Sequence, residues 1–297
     1  MIKSWVRLKV GRDLYAPPPS IAHRIGLKLC SDNDGCPPLL LIPRQAVIDA
    51  IPKFGMQKLY DSLQAFLLVP KYSLERGLAK TIFSDATDRV MYKCVGVRAA
   101  RNSTGVLDYD KWTEGVAPIH WSRVIKMVRR AEFLFDAYAP QEVLEHIRMA
   151  RELVPFNTML APPFDSASRR CPRTKYFGSI AFGCNVFLRC HTDNDFTFSM
   201  AHILLADHDS YKLDDDVVVY FCFPTLGVAI PMRPGDFLLF NAKIPHCISS
   251  RCDINHKIMC ISMFLKTAVV GLNDNSIPLT PLQLELSKKY RDFSTCN

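Results

Sequence analysis

The sequence predicts an α+β chain in which helices come first and a β-rich half follows, closing as a jelly roll or barrel. Three observations predict it. Apolar residues recur at helical spacing between positions 119 and 153. From 176 to 266, about seven or eight runs of strand length follow one another, separated by turn residues. The chain has 297 residues, 48% of them hydrophobic, which is enough to bury a substantial core.

The first 115 residues give few signals, and "YAPPPS" (15–20) and "CPP" (36–38) mark irregular stretches. "PRQAVIDAIPKFGMQKLYDSLQAFLL" (43–68) carries mostly helical spacing interrupted by Pro52 and Gly55, so two short helices are expected. "RVMYKCVGVRA" (89–99) alternates loosely and suits a strand. Val124, Met127, Val128, Ala131, Leu134 and Phe135 then recur at three- and four-residue steps. Pro140 opens a second segment in which Val143, Leu144, Ile147 and Ala150 do the same. Each of these helices has one apolar face to bury, and the strands are the partner.

Those strands are expected in "YFGSIAFGCNVFLRCH" (176–191), "FTFSMAHILLA" (196–206), "VVVYFCFP" (217–224), "GVAIPM" (227–232), "DFLLFNA" (236–242), "CISS" (247–250) and "HKIMCISMFLK" (256–266). "PMRPGDFLLF" gives the clearest hairpin signal, because Pro234 and Gly235 supply turn geometry between two apolar runs. The resulting division is a region 1–115 packed on the core, helices plus a β core over 116–270, and an extension over 271–297.

The N-terminus "MIKSWVRLKV" lacks the apolar stretch and cleavage site of a secretory signal, and no run of about 18 apolar residues occurs. An intracellular setting with no membrane span is expected. The eleven cysteines are odd in number and contain no C-x-x-C pair, so reduced, packed thiols are expected in place of disulfides or zinc. A net charge of +8 favours a polyanionic partner. Its cations bunch in "WSRVIKMVRR" (121–130), "SRRCPRTKY" (168–176) and "SKKYR" (287–291).

The chemistry centres on "FGCNVFLRCHTDNDFTFS" (182–199). Eight histidines and 29 acidic residues produce roughly 0.8 chance occurrences of His-x-acid, so the tripeptide needs its context. On a strand, residues i and i+2 share a face, so His191 and Asp193 aim an imidazole and a carboxylate at one point. Two histidines and one carboxylate make the facial triad that binds Fe(II) and leaves positions open. His246, at the end of the "RPGDFLLFNAKIP" arm, is the best-placed third ligand. Asp195 is a rival to Asp193, His202 reads as a packed or hydrogen-bonded core histidine, and His208 lies on an acidic loop. If the electron source is 2-oxoglutarate, its distal carboxylate needs a cation. Lys257, opening the last strand, fits that role. Arg251 is closer to His246 in sequence and has the better fork, but "SSRCD" reads as a turn.

The succession "CHTDNDF", "VVVYFCFPTLGVAIPMRPGDFLLFNAKIPH" and "HKIMCISMFLK" resembles the Fe(II)/2-oxoglutarate-dependent dioxygenases with a double-stranded β-helix core. "FPTLGVAIPMRPGD" leading to a histidine resembles the ten-eleven-translocation and base-J-binding-protein group, which oxidises the methyl of a pyrimidine base in DNA. The resemblance spans about residues 176 to 266 and lies in order and spacing. It implies a jelly roll flanked by N-terminal helices, His191, Asp193 and His246 as iron ligands, and a cosubstrate cation at Lys257 where arginine is more usual. That departure keeps ascorbate open as an alternative or supporting reductant. The implied reaction is hydroxylation of a C–H bond, most naturally the methyl of 5-methylcytosine or thymine in DNA. A protein side chain or a small metabolite is the alternative substrate, and a non-catalytic jelly-roll module the alternative role. A DNA substrate in a eukaryote implies a nuclear protein. Arg169, Arg170, Arg173 and Lys175 are then candidates for phosphate contact, with Tyr176 and Phe177 as stacking partners for a base. The competing reading has the cations solvated and the aromatics in the core.

Overall fold

The structure, a computed structural model, describes residues 6–8, 14–16, 28–29, 39–42, 44–50, 53–68, 82–84, 91–99, 107–109, 116–153, 174–184, 186–188, 190–196, 198–205, 217–249 and 257–270. The helices are α1 (Arg44–Ala50), α2 (Lys53–Leu68), α3 (Pro118–Tyr138) and α4 (Gln141–Leu153). Pro118 opens α3 with its φ already helical. Ala139, placed before Pro140, is forced into an extended conformation and ends it. Val124, Ile125, Val128, Ala131, Leu134 and Phe135 are buried along one side of α3. The expected pair of helices over 119–153 is observed, and 44–50 and 53–68 form the two separate helices α1 and α2.

The β half forms two facing sheets. The larger one contains β3 (Lys28–Leu29), β4 (Leu39–Leu41), β13 (Phe237–Asn241), β10 (Phe198–Leu205), β15 (Ile258–Phe264), β8 (Ser179–Cys184), β6 (Met91–Ala99) and β7 (Leu107–Tyr109), in that spatial order. The smaller one orders β12 (Val228–Met232), β11 (Val219–Phe223) and β14 (Cys247–Ile248). A bridge between His191 and His246 joins it to β9 (Val186–Leu188), which pairs with β5 (Ile82–Ser84). All these pairings are antiparallel, and the chain passes from the larger sheet (β10) to the smaller (β11, β12), back to the larger (β13), to the smaller again (β14) and finally to the larger (β15), which is the jelly-roll arrangement. A separate two-stranded ribbon pairs β1 (Val6–Leu8) with β2 (Leu14–Ala16).

The two faces of the larger sheet have different partners. Phe182 of β8 lies 6.0 Å from the Phe66 ring of α2, which in turn meets Trp121 of α3 at 4.9 Å. Cross-strand partners share a face, so Lys93 and Ile261, opposite Phe182, belong to this helical side. Lys93 is buried there, and its ammonium donates to the Phe66 carbonyl at 2.6 Å. The other face looks into the barrel: Phe240 of β13 meets Phe221 of β11 at 4.8 Å and His246 at 5.0 Å. Ser199, opposite Phe240, faces inward too, and with it Ala201, Ile203 and their partners Ser262 and Cys260.

Two expectations need correction. The Pro234-Gly235 turn does not close a hairpin, because β12 belongs to the smaller sheet and β13 to the larger. Gly235 adopts φ +88, and its N–H donates to the Ile203 carbonyl at 2.8 Å, so the turn carries the chain across the barrel wall. The true hairpin joins β11 to β12 through Pro224–Leu226. The other correction concerns the first 115 residues, from which the sequence offered one strand. That strand is observed as β6, beside β8 with β7 on its outer side, and the short β3 and β4, which the sequence did not offer, extend the sheet beside β13. At Gly96, with φ +130, a Cβ would stand 2.3 Å from the Gly178 carbonyl, so β6 reaches β8 only because no side chain is there.

Among the described residues no helix is long and apolar enough to cross a membrane. The described cysteines, Cys94, Cys184, Cys190, Cys222, Cys247 and Cys260, are free thiols. Residues 271–297 lie outside the described part.

Candidate metal centre

Backbone pairing creates the site. The His191 N–H donates to the His246 carbonyl at 3.0 Å and the reverse bond measures 2.9 Å, so two residues 55 positions apart sit side by side at one end of the barrel. Two residues on, the Asp193 N–H donates to the Ala242 carbonyl at 2.9 Å, which returns its carboxylate to the same face. The result is a cluster in which one ligand atom from each of His191, Asp193 and His246 lies within 4.8 Å of the others. Asp193 Oδ2 is 3.6 Å from His191 Nε2 and 3.5 Å from His246 Nε2. Donors each about 2.1 Å from a shared ion stand roughly 3 to 3.5 Å apart at the angles of an octahedral or tetrahedral shell, so the gaps from Asp193 to each imidazole suit one metal.

Each donor is prepared for that task. His246 is buried, and its Nδ1–H donates to the Ile244 carbonyl at 2.8 Å, which turns the lone pair of Nε2 toward Asp193. Rings of Phe221, Phe240 and Phe223 surround the imidazole at 5.6, 5.0 and 6.3 Å. Burial works to raise the Asp193 carboxyl, but hydrogen bonding and charge from His191 and His246 outweigh it and hold the group well below the usual carboxylate range. The carboxylate is therefore ionised throughout the neutral range, as a metal ligand must be.

The rivals are placed elsewhere. Asp195 is buried and turned to Ser199, whose hydroxyl donates to it at 2.6 Å. Burial pushes its carboxyl up to about 7; the charge of Asp193 adds to this, while the Ser199 hydrogen bond, Lys266 and His191 oppose it. His202 is a core histidine, as expected, stacked on Phe237 at 3.9 Å with Nδ1–H donating to the Asp236 carbonyl at 3.1 Å. His208 and Arg251 lie outside the described residues, as do Arg169, Arg170 and Arg173.

Lys257 is not brought to the triad. Asp195 bridges to Lys266, and the Thr267 N–H donates to the Asn194 carbonyl, so the cluster sits beside the C-terminal end of β15. Lys257 precedes the opposite end, which lies roughly 20 Å away along a seven-residue strand. It is exposed and shares the parity of Met259 and Ile261 on the helical side. Sequence distance from His246 was the signal for Lys257, and it does not report strand direction or parity. Lys266, which sequence reasoning passed over, is the described cation beside the cluster. Its ammonium lies 5.6 Å over the Phe264 ring and 3.8 Å from Cys94 Sγ. Tyr92, on the barrel face of β6, is a second omission. Burial, reinforced by Cys94, Asp193 and Asp195, drives its phenol far up, so it stays a neutral donor near the site.

The segment before β8 is also arranged differently from its sequence reading. Tyr176 and Phe177 are buried against Phe135, at 5.7 and 5.4 Å, and neither can stack on a base. Lys175 is exposed but paired, its ammonium 2.6 Å from Asp136. The reason is Glu132, a buried residue of α3 whose carboxylate accepts the backbone N–H groups of Lys175, Tyr176 and Phe177 at 2.7, 2.6 and 2.9 Å.

No family model matches the sequence, and no curated protein does. Among solved structures, NgTET1 in complex with 5mC DNA matches over 89% of this chain and 84% of its own, with a TM-score of 0.55 and 12% identity. The two share a fold. At such identity the likeness speaks for the fold alone, and it places the jelly roll and its helical flank in a known architecture. A Pseudomonas putida prolyl-4-hydroxylase matches 73% of this chain and 88% of its own at 11% identity with a TM-score of 0.35. A collagen prolyl hydroxylase of Paramecium Bursaria Chlorella virus-1, in its 2OG complex, covers 72% and 91% at 9% identity with a TM-score of 0.33. These two are too loose to carry an argument.

Proposed function

We propose that the protein is an Fe(II)- and 2-oxoglutarate-dependent oxygenase that hydroxylates a C–H bond, with the methyl group of 5-methylcytosine or thymine in DNA as substrate. The observation that carries the reading is the convergence of His191, Asp193 and His246 within 4.8 Å at one end of a jelly roll. Two imidazoles and one carboxylate suit Fe(II) and leave positions open to a cosubstrate and dioxygen. Iron held there by His191, Asp193 and His246 would activate dioxygen, the oxidant for C–H hydroxylation, with the cosubstrate as electron source.

The chain's own groups do the rest. Ile244 fixes the His246 ring through its carbonyl, and the Phe221, Phe223 and Phe240 rings keep water from one side of the centre. Lys266, beside the cluster, is suited to hold an anionic group of cosubstrate or substrate. Tyr92 can donate a hydrogen bond without ionising.

DNA as substrate draws support from the net charge of +8 and from the shared fold with a structure bound to 5mC DNA. A duplex base reaches a pocket inside a barrel only by leaving the stack, at a cost of a few kcal/mol that phosphate contacts offset. Anaerobic addition of Fe(II) and then 2-oxoglutarate, with ascorbate as the alternative reductant, tests the metal and cosubstrate. A charge-transfer band that needs both components is expected. Mass spectrometry of nucleosides after aerobic incubation with methylated DNA tests the substrate; unchanged nucleosides alongside a normal band would move the reaction to a protein side chain or metabolite.

A further inference from the structure

Helix α3 turns one face outward, away from the barrel, and that face carries charge the centre does not use. Lys126, Arg129, Arg130 and Phe133 line a groove of about 430 Å³ together with Ala50 of α1. The spacing i, i+3, i+4, i+7 puts all four on one stripe. The opposite stripe, Val124, Val128, Ala131 and Phe135, is locked in the core, so the helix cannot roll to hide the cations. Lys126 and Arg129 are exposed, Arg130 half-buried, and none of the three makes an ion pair with a described residue. Phe133 stands 67% exposed at the groove's end, an aromatic that nothing in the described structure covers. Even with Asp49, next to Ala50, set against them, the patch is net positive.

We propose that this face of α3 docks the phosphate backbone of a nucleic acid, a contact separate from the metal centre on the far side of the helical layer; it rests on the DNA reading above. Charge complementarity is the first argument. Three cations around a concavity, none ion-paired with a described residue, would hold phosphates. Geometry is the second. Lys126 and Arg130 are about 6 Å apart along the helix axis, comparable with the separation of neighbouring phosphates on one strand, with Arg129 between them. A groove admits a projecting phosphate ridge better than it admits a flat bilayer, and Phe133 offers a ring to the sugar or to an unstacked base.

The test is equilibrium binding of the full chain to a labelled methylated duplex across a range of potassium chloride concentrations. It compares the wild type with Lys126→Gln/Arg129→Gln/Arg130→Gln and with the single charge reversal Arg129→Glu, each checked for unchanged far-ultraviolet circular dichroism. The triple variant is expected to lower the slope of log K against log salt by about 2 to 3, since each phosphate contact contributes about 0.9. Arg129→Glu should lower it by at least about one. An unchanged slope in both variants overturns the proposal, as does wild-type binding to phosphatidylserine-rich vesicles with none to the duplex. Nucleoside mass spectrometry on the same samples separates the two claims. Oxidised DNA with an unchanged slope removes the docking face alone, whereas a lowered slope with no oxidised nucleoside from any variant removes the substrate assignment and keeps the docking face.

Discussion

Replacing Glu132 by alanine should be among the most damaging single changes outside the metal centre. Its carboxylate accepts three successive backbone N–H groups, those of Tyr176 and Phe177 buried and that of Lys175 partly so. Each buried donor left without a partner costs about 1 to 3 kcal/mol, so the two buried ones alone imply about 2 to 6. Deleting a buried charge returns part of its desolvation cost, which brings the net loss to about 3 kcal/mol. That is a large share of the 5 to about 15 kcal/mol typical of a whole domain. Glu132→Gln keeps one acceptor oxygen and should lose about half as much. Urea unfolding followed by tryptophan fluorescence, with Trp121 buried in the helical layer, reads both variants. Because residues 174–177 lead directly into β8, the alanine variant should also bind Fe(II) more weakly. A loss below about 1 kcal/mol for the alanine variant would refute the claim that these three bonds anchor the segment.

Four further outcomes are expected. His191→Ala and Asp193→Ala should each lower Fe(II) affinity by more than about 100-fold, beyond what removal of a ligand's supporting partner costs, while the urea midpoint hardly moves; retention of the charge-transfer band by either would relocate the centre. Lys266→Ala should raise the concentration of anionic cosubstrate needed for half-maximal rate about tenfold or more, the worth of one charge-assisted hydrogen bond, and Lys257→Ala should leave it unchanged; the reverse pattern would restore Lys257. Burial lowers His202 to about 4 in the folded chain against 6.5 when unfolded, so the neutral ring's contribution is complete above 6.5 and is lost as pH falls toward 4. That amounts to about 3 kcal/mol, and His202→Leu should flatten this part of the stability curve; an equally steep loss in the variant would assign it to other groups. Gly96→Ala should destabilise by more than about 2 kcal/mol through the clash with Gly178 and the positive φ, read by the same unfolding assay.

Much of this was legible along the chain because it follows from local rules. Strand and helix limits track turn residues and apolar spacing, and Pro52 and Pro140 fall at the breaks between helices. The pairing of His191 with Asp193 on one face follows from the period of two, and its meeting with His246 from antiparallel topology. The misreadings share a cause, which is that they depended on what lies across space. Pro234-Gly235 is sound turn chemistry, but no local signal says that β12 and β13 belong to different sheets. Lys257 was chosen by its distance from His246, whereas parity and strand direction decide where it points. Tyr176 and Phe177 follow a basic run that suggests a surface, yet a carboxylate 45 positions earlier than Phe177 draws them inside. The strands Leu39–Leu41 and Leu107–Tyr109 are three residues each, too short to register a period.

The strand order of the larger sheet has a practical corollary. Leu39–Leu41 covers one margin of the jelly-roll strands and Met91–Ala99 the other, so a truncated protein beginning at α3 would carry bare hydrogen-bonding edges on both sides. Such a fragment should self-associate even though it retains every residue of the metal cluster.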